Sequence, residues 1–223
     1  MNKELFISAI VKYFLGIILV GALLFVPAGT FAYKEAWIFL AVLFIPMFIA
    51  GIVMMFKDPE LLRSRLNVKE KVDTQKKVVD ASGLLFLVVF ILAGLNHRFG
   101  WHKMPETVVW IGVAIFLVAY LFYAEVLREN SYLSRTIEVR EGQKVVDTGL
   151  YGIVRHPMYA TTVFLFLSMP LILNCLYSFF VMLLYLPIIN KRMINEEEVL
   201  KKELQGYEEY LQKVKYRIIP FIY

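Results

Sequence analysis

Cysteine is nearly absent. The chain has one, Cys175, in 223 residues, which excludes an intrachain disulfide and any multi-cysteine metal site. Histidine is scarce as well: His97, His102 and His156 form no HExxH pair, the spacing that puts two ligands on one helix face. His97 and His102 share a predicted loop but make a weak pair, and no metal site is expected. No G-x-G-x-x-G follows a strand pattern, so the phosphate-cradling turn of a dinucleotide-binding βαβ unit is missing. Internal repeats and low-complexity stretches are lacking, and charged residues make up only 19%. What fills the chain is apolar: 59% hydrophobic, with a mean hydropathy of +0.63. Soluble domains sit near about 45–50% even with glycine counted, so the composition is that of a membrane protein.

Six apolar segments stand out, near 5–27, 36–56, 78–95, 108–127, 158–173 and 176–190, several of them close to the roughly 20 residues a spanning helix needs. The first is too long for a signal-peptide core and lacks a small-residue cleavage site, so it reads as a retained span. The last two are short and separated only by Asn174 and Cys175, the pattern of a tight helical hairpin. The expected fold is an all-α integral membrane protein of about six transmembrane helices, with a helical C-terminal tail. Pro46, Pro170 and Pro187 are expected to bend or end helices, which neighbouring helices accommodate.

The basic residues orient this arrangement. Lys3, the 57–77 loop, the 128–157 loop and the tail from 191 together carry 20, against three (Lys34, Arg98, Lys103) on the other connections. Such asymmetry fits an even number of spans with both termini cytoplasmic, in a bacterial inner membrane. The net charge of +5 thus sets orientation and implies no nucleic-acid partner. Residues 1–128 are expected to form about four N-terminal spans with an amphipathic 57–77 loop, and 129–223 a C-terminal cofactor-binding region. In the loop, "DPELLRSRLNVKEKV" offers Asp58 as N-cap and Pro59 at the first helical position, and its Leu61, Leu62 and Leu66 suit an interfacial anchor. In the tail, "NEEEVLKKELQGYEEYLQKV" keeps helical spacing, with Gly206 as a weak point.

Two polar clusters fall on the same side. The first is Tyr151, Arg155, His156 and Tyr159, entering the fifth span through Pro157. A proline at the first helical position loses nothing by lacking an N–H, and the helix start it permits favours a carboxylate or phosphate. The second is Arg192 and Glu196, four apart on one helix face, with Glu197, Glu198, Asn195 and Asn190 beside them. Taken alone, each cluster reads as interfacial anchoring or as an exposed ion pair of small value. The hairpin brings them together as a polar pocket able to hold an anionic or zwitterionic ligand. Physics names no reaction for it.

"GLYGIVRHPMY" followed by "RMINEEEVLKKELQGYEEYLQKVKYRIIP" resembles the isoprenylcysteine carboxyl methyltransferase family and its phospholipid methyltransferase relatives over about 149–220. The resemblance implies an S-adenosylmethionine-dependent methyltransferase acting on a lipophilic acceptor. It implies that Tyr151, Arg155, His156, Pro157, Tyr159, Glu196 and Glu197 line the S-adenosylmethionine site. Arg192 would hold an acceptor carboxylate, with Glu196 fixing its orientation. The acceptor stays open: a lipidated carboxylate, a phospholipid amine or a hydrophobic thiol. A sterol-reductase-like membrane reductase, which shares an RHP-type element, and a non-enzymatic lipid-binding protein are the other readings.

Overall fold

The structure is a computed structural model that describes residues 3–66, 73–130, 132, 133, 139 and 141–223. Its helices are α1 (Lys3–Ala28), α2 (Lys34–Lys57), α3 (Pro59–Leu66), α4 (Asp73–Phe99), α5 (Glu106–Glu129), α6 (Pro157–Ile172), α7 (Leu176–Met182), α8 (Tyr185–Glu203) and α9 (Tyr207–Lys213), with a 3₁₀ turn at Gly149–Gly152. Among the described residues there is no strand. Five segments are long and apolar enough to cross a membrane: Lys3–Ala28, Lys34–Lys57, Val78–Phe99, Glu106–Glu129 and Leu176–Glu203. The sixth, α6, has 16 residues, or about 24 Å at 1.5 Å per residue, short of the ~30 Å hydrocarbon layer. The chain is an all-helical integral membrane protein.

Small residues let the helices approach. A Cβ on Gly94 of α4 would lie 2.6 Å from the Leu24 carbonyl of α1, and one on Gly112 of α5 would lie 2.9 Å from Leu171 Cβ of α6. Without a hydrophobic drive between helices in lipid, such close packing is what holds them together. The core between them is aromatic and aliphatic, with Leu24, Phe39, Phe116, Ile172 and Met182 fully buried. Leu15, Ile18, Leu19, Ile45 and Leu121 are exposed, the apolar coat expected of lipid-facing positions.

At one end of the bundle the α6–α7 hairpin turns at Asn174, whose φ is +55°. The Asn96 side chain donates to the carbonyls of His102 (2.9 Å) and Asn174 (3.1 Å) and accepts from the His102 amide (3.1 Å). Asn174 Oδ1 in turn accepts from the Met104 amide at 2.6 Å. Tyr33 donates to the Leu173 carbonyl at 2.6 Å and stacks on His97 at 4.1 Å. His97 thus packs in this cluster through its ring, while His102 takes part through its backbone and keeps its side chain exposed.

Three expectations change in detail. Asp58 caps α3 by accepting from the Leu61 amide at 2.9 Å, and Leu61 and Leu62 are buried, so that face of α3 packs on protein. Lys12 donates to the Leu66 carbonyl at 2.7 Å, satisfying the end of α3 where a cation is favourable. Residues 67–72 of that loop, with Lys69 and Lys71, and Arg135 and Arg140 of the next, lie outside the described residues. Pro187 does not end a helix. It sits in the first turn of α8, where no intrahelical partner awaits its missing N–H, and α8 continues from the apolar region straight into the polar tail. The break comes at Gly206, φ +84°, after which α9 folds back. Leu204, Tyr207, Tyr210 and Val214 then bury against Val139 and Val145.

Candidate functional site

Four segments converge at the other end of the bundle. The 3₁₀ turn is tied to the end of α5, where the Glu129 carboxylate accepts from the Leu150 amide at 3.0 Å. Gly149, φ +52°, is needed there because a Cβ would overlap that carboxylate. Pro157 opens α6 as its first residue, leaving Arg155 and His156 outside the helix just before it. That short stretch pairs with the C-terminal tail: the Arg155 amide donates to the Tyr216 carbonyl (2.9 Å) and the His156 amide to the Arg217 carbonyl (2.8 Å). α8 supplies Arg192, Glu196 and Glu197.

Successive α8 residues point about 100° apart, and the two glutamates serve different partners. Glu197 is 3% exposed. Its Oε1 lies 3.2 Å from His156 Nε2 and 3.3 Å from Arg155 Nη1, and its Oε2 accepts from Arg217 Nη2 at 3.0 Å. Removing a carboxylate from water costs several kcal/mol after relaxation, and three surrounding donors offset that cost. Arg217 also donates to Tyr223 Oη at 2.6 Å, and Tyr223 donates to Asn190 Oδ1 at 2.5 Å. Glu196 accepts from Tyr159, whose oxygen accepts from Arg192 Nε at 3.1 Å. Arg192 and Glu196 therefore meet through the Tyr159 phenol. Glu198 faces solvent.

These groups border a small cleft of about 90 Å³, shared by Tyr151, Arg155, His156, Tyr159, Arg192 and Glu196 with Lys144, Tyr207 and Tyr210. Tyr210 donates to the Tyr151 carbonyl at 2.8 Å. Burial pushes the phenols of Tyr151, Tyr207 and Tyr210 above their ordinary values, keeping them protonated donors. Tyr151 Oη, Tyr207 Oη, Arg155 Nε and, on α8, Asn195 Nδ2 are buried with no hydrogen-bond partner. The Asn130 amide stands near Tyr151 without meeting hydrogen-bond geometry. Buried unpaired donors cost about 1–3 kcal/mol each, and those of Tyr151, Arg155 and Tyr207, at the cleft, are placed to pair with a ligand.

The structure brings Tyr151, Arg155, His156, Tyr159, Arg192 and Glu196 to the cleft wall, keeps Pro157 and Glu197 off it, and leaves Glu198 facing solvent. Two arrangements differ from expectation: Arg155 and His156 turn to Glu197, and Tyr159 stands between Glu196 and Arg192. Sequence reasoning gave no role to Arg217, Tyr207, Tyr210 or Tyr223. The motif "YRIIP" and the paired tyrosines were visible, but the fold-back at Gly206 that delivers them was not.

The family model for Ergosterol biosynthesis ERG4/ERG24 matches residues 122–223, the part of the chain that builds this cleft. A mouse protein described as Delta(14)-sterol reductase TM7SF2 is 32% identical over 91 residues, which are 40% of this chain and 22% of that protein. The chain therefore spans about a fifth of that relative's length. Among solved structures, the eukaryotic intramembrane Ras methyltransferase ICMT (isoprenylcysteine carboxyl methyltransferase) is similar with a TM-score of 0.59 and 16% identity, covering 98% of this chain and 85% of that one. At that identity the likeness is one of fold. The expected S-adenosylmethionine-dependent methyl transfer to a carboxylate, amine or thiol is overturned by the sterol-reductase matches in sequence. The RHP element opening a helix and the glutamates facing it suit more than one chemistry, so they misdirected the reading of the reaction. The bundle around them does resemble the methyltransferase fold.

Proposed function

We propose that the protein is a membrane reductase that adds two hydrogens across a carbon–carbon double bond of a lipophilic, sterol-like substrate. The observation carrying this reading is the coincidence of the ERG4/ERG24 match, residues 122–223, with the residues that border the cleft. The proposed hydride donor is a reduced nicotinamide dinucleotide phosphate, whose polar groups suit the donors at the cleft. Lys144 and Arg155 offer cationic partners for phosphates, while Tyr151 and Tyr207 carry buried unpaired hydroxyls for its polar groups. When bound there, such a cofactor supplies a hydride to one alkene carbon.

The chain's own residues supply the rest. Tyr159, at the cleft wall, gives its phenolic proton to the other alkene carbon as the C=C π bond breaks. Arg192 Nε, 3.1 Å from that oxygen, stabilises the phenolate left behind. Glu196, already bonded to the phenol and open to the cleft, returns a proton taken from water. Glu197, with Arg155, His156 and Arg217, keeps the wall rigid and touches no reacting atom. General acid help of this kind is worth about 10²–10⁴ in rate.

Purified protein in detergent is expected to oxidise the reduced dinucleotide phosphate only when an unsaturated sterol is supplied, with one product double bond fewer by mass spectrometry. Failure to bind that dinucleotide, with saturable binding of S-adenosylhomocysteine instead, overturns the proposal.

A further inference from the structure

Beyond the cleft, residues 218–223 form a compact apolar turn with unusual exposure. Phe221 is 86% exposed and Ile222 78%, with Ile219 and Tyr223 also solvent-facing. No charged residue occurs from 218 to 223, while Lys213, Lys215 and Arg217 precede it directly. An apolar tip behind a basic collar is the pattern of an element resting in a lipid–water boundary.

Three contacts fix the height of this turn relative to the bundle. Ile218 packs against the transmembrane core. Tyr223 donates to Asn190, at the end of the last apolar run, at 2.5 Å. The His156 amide, one residue before α6 begins, donates to the Arg217 carbonyl at 2.8 Å. The turn therefore lies where two apolar helices meet the polar end of the molecule.

Its backbone is prepared for a poorly hydrated setting. The amides of Ile218 and Ile219 both donate to the Tyr223 carbonyl at 2.9 Å, and those of Ile222 and Tyr223 donate to the Ile219 carbonyl at 3.2 and 3.0 Å. Pro220 has no N–H to satisfy. Unpaired amides are costly in lipid, and this turn closes four of its own.

We infer that the 218–223 turn inserts Phe221 and Ile222 into the lipid–water boundary of the membrane that holds the protein, with Lys215 on the aqueous side of the headgroups. Membrane contact at the tip then holds Arg217 against Glu197, because the tip and Arg217 belong to one short hydrogen-bonded segment. The test is positional and independent of the proposed reaction. Phe221→Cys and, separately, Ile222→Cys are spin-labelled in the full chain in phosphatidylcholine–phosphatidylglycerol nanodiscs, with Lys215→Cys as the aqueous reference. Cys175 is fully buried, and the unsubstituted protein reports any label it takes. At 221 and 222 the label is expected to show a several-fold higher ratio of oxygen to nickel-complex accessibility than at 215. Ratios at both positions equal to that at 215 overturn the inference.

Discussion

The two ends of the bundle hold polar clusters of similar size and opposite character. At one end Asn96 and Asn174 join the connection between α4 and α5 to the α6–α7 turn with neutral amides, and the side-chain oxygens and Asn96 Nδ2 all have partners. At the other end Glu197 gathers a histidine and two arginines, yet four buried donors nearby have no partner. A saturated cluster closes a structure. An unsaturated one, facing a cleft, awaits something to bind.

The sharpest way to break this contrast is Glu197→Ala. It leaves the buried His156 and the half-buried Arg155 and Arg217 without their carboxylate, and losing a charge-assisted hydrogen-bond partner costs about 1.5–3 kcal/mol. Thermal unfolding in detergent should register that loss, and dinucleotide binding should disappear with it. Tyr159→Phe separates chemistry from architecture: turnover is expected to fall by about 10²–10⁴ while the Kd for the dinucleotide, read by its fluorescence, stays within a few-fold. Asn96→Leu strikes the saturated end. With the His102 amide and two carbonyls losing their partner, stability should drop by about 1–3 kcal/mol, with no change in Kd.

The smallest effect concerns pH. A hydrogen bond from Lys213, 2.6 Å away, holds the exposed Asp147 carboxyl below its ordinary value. A carboxyl depressed on folding contributes stability that is present above its unfolded value near about 4 and is lost as pH falls through the folded one. Asp147→Asn should therefore flatten slightly the acid limb of a Tm-against-pH curve, and added salt should mask the difference because the pair is exposed.

Much of the architecture could be read from residue patterns. Apolar run lengths located the spans, Pro157 located the start of α6, and the four-residue spacing of Arg192 and Glu196 placed them on one face. Long-range delivery was hidden. Nothing local in "KYRIIPFIY" says that Arg217 returns to a glutamate 20 residues earlier, because that depends on the left-handed turn at Gly206. The inward packing of α3 was likewise hidden, since Lys12 meets Leu66 across 54 residues. The reaction was misread for a different reason: cations opposite glutamates at a helix start describe a polar ligand's surroundings, and a methyl donor and a hydride donor both carry polar groups of that kind.

The sequence positions of the Glu197 partners also set an order of assembly. Arg155 and His156 are made some 40 residues before Glu197, and Arg217 another 20 after it. During synthesis at about 5–20 residues per second, the apolar helices and the Asn96–Asn174 contact can form while this carboxylate still lacks its last cation. The charged hub cannot close before Arg217 is made, so a ribosome stalled before residue 217 leaves Glu197 without one of its three cationic partners.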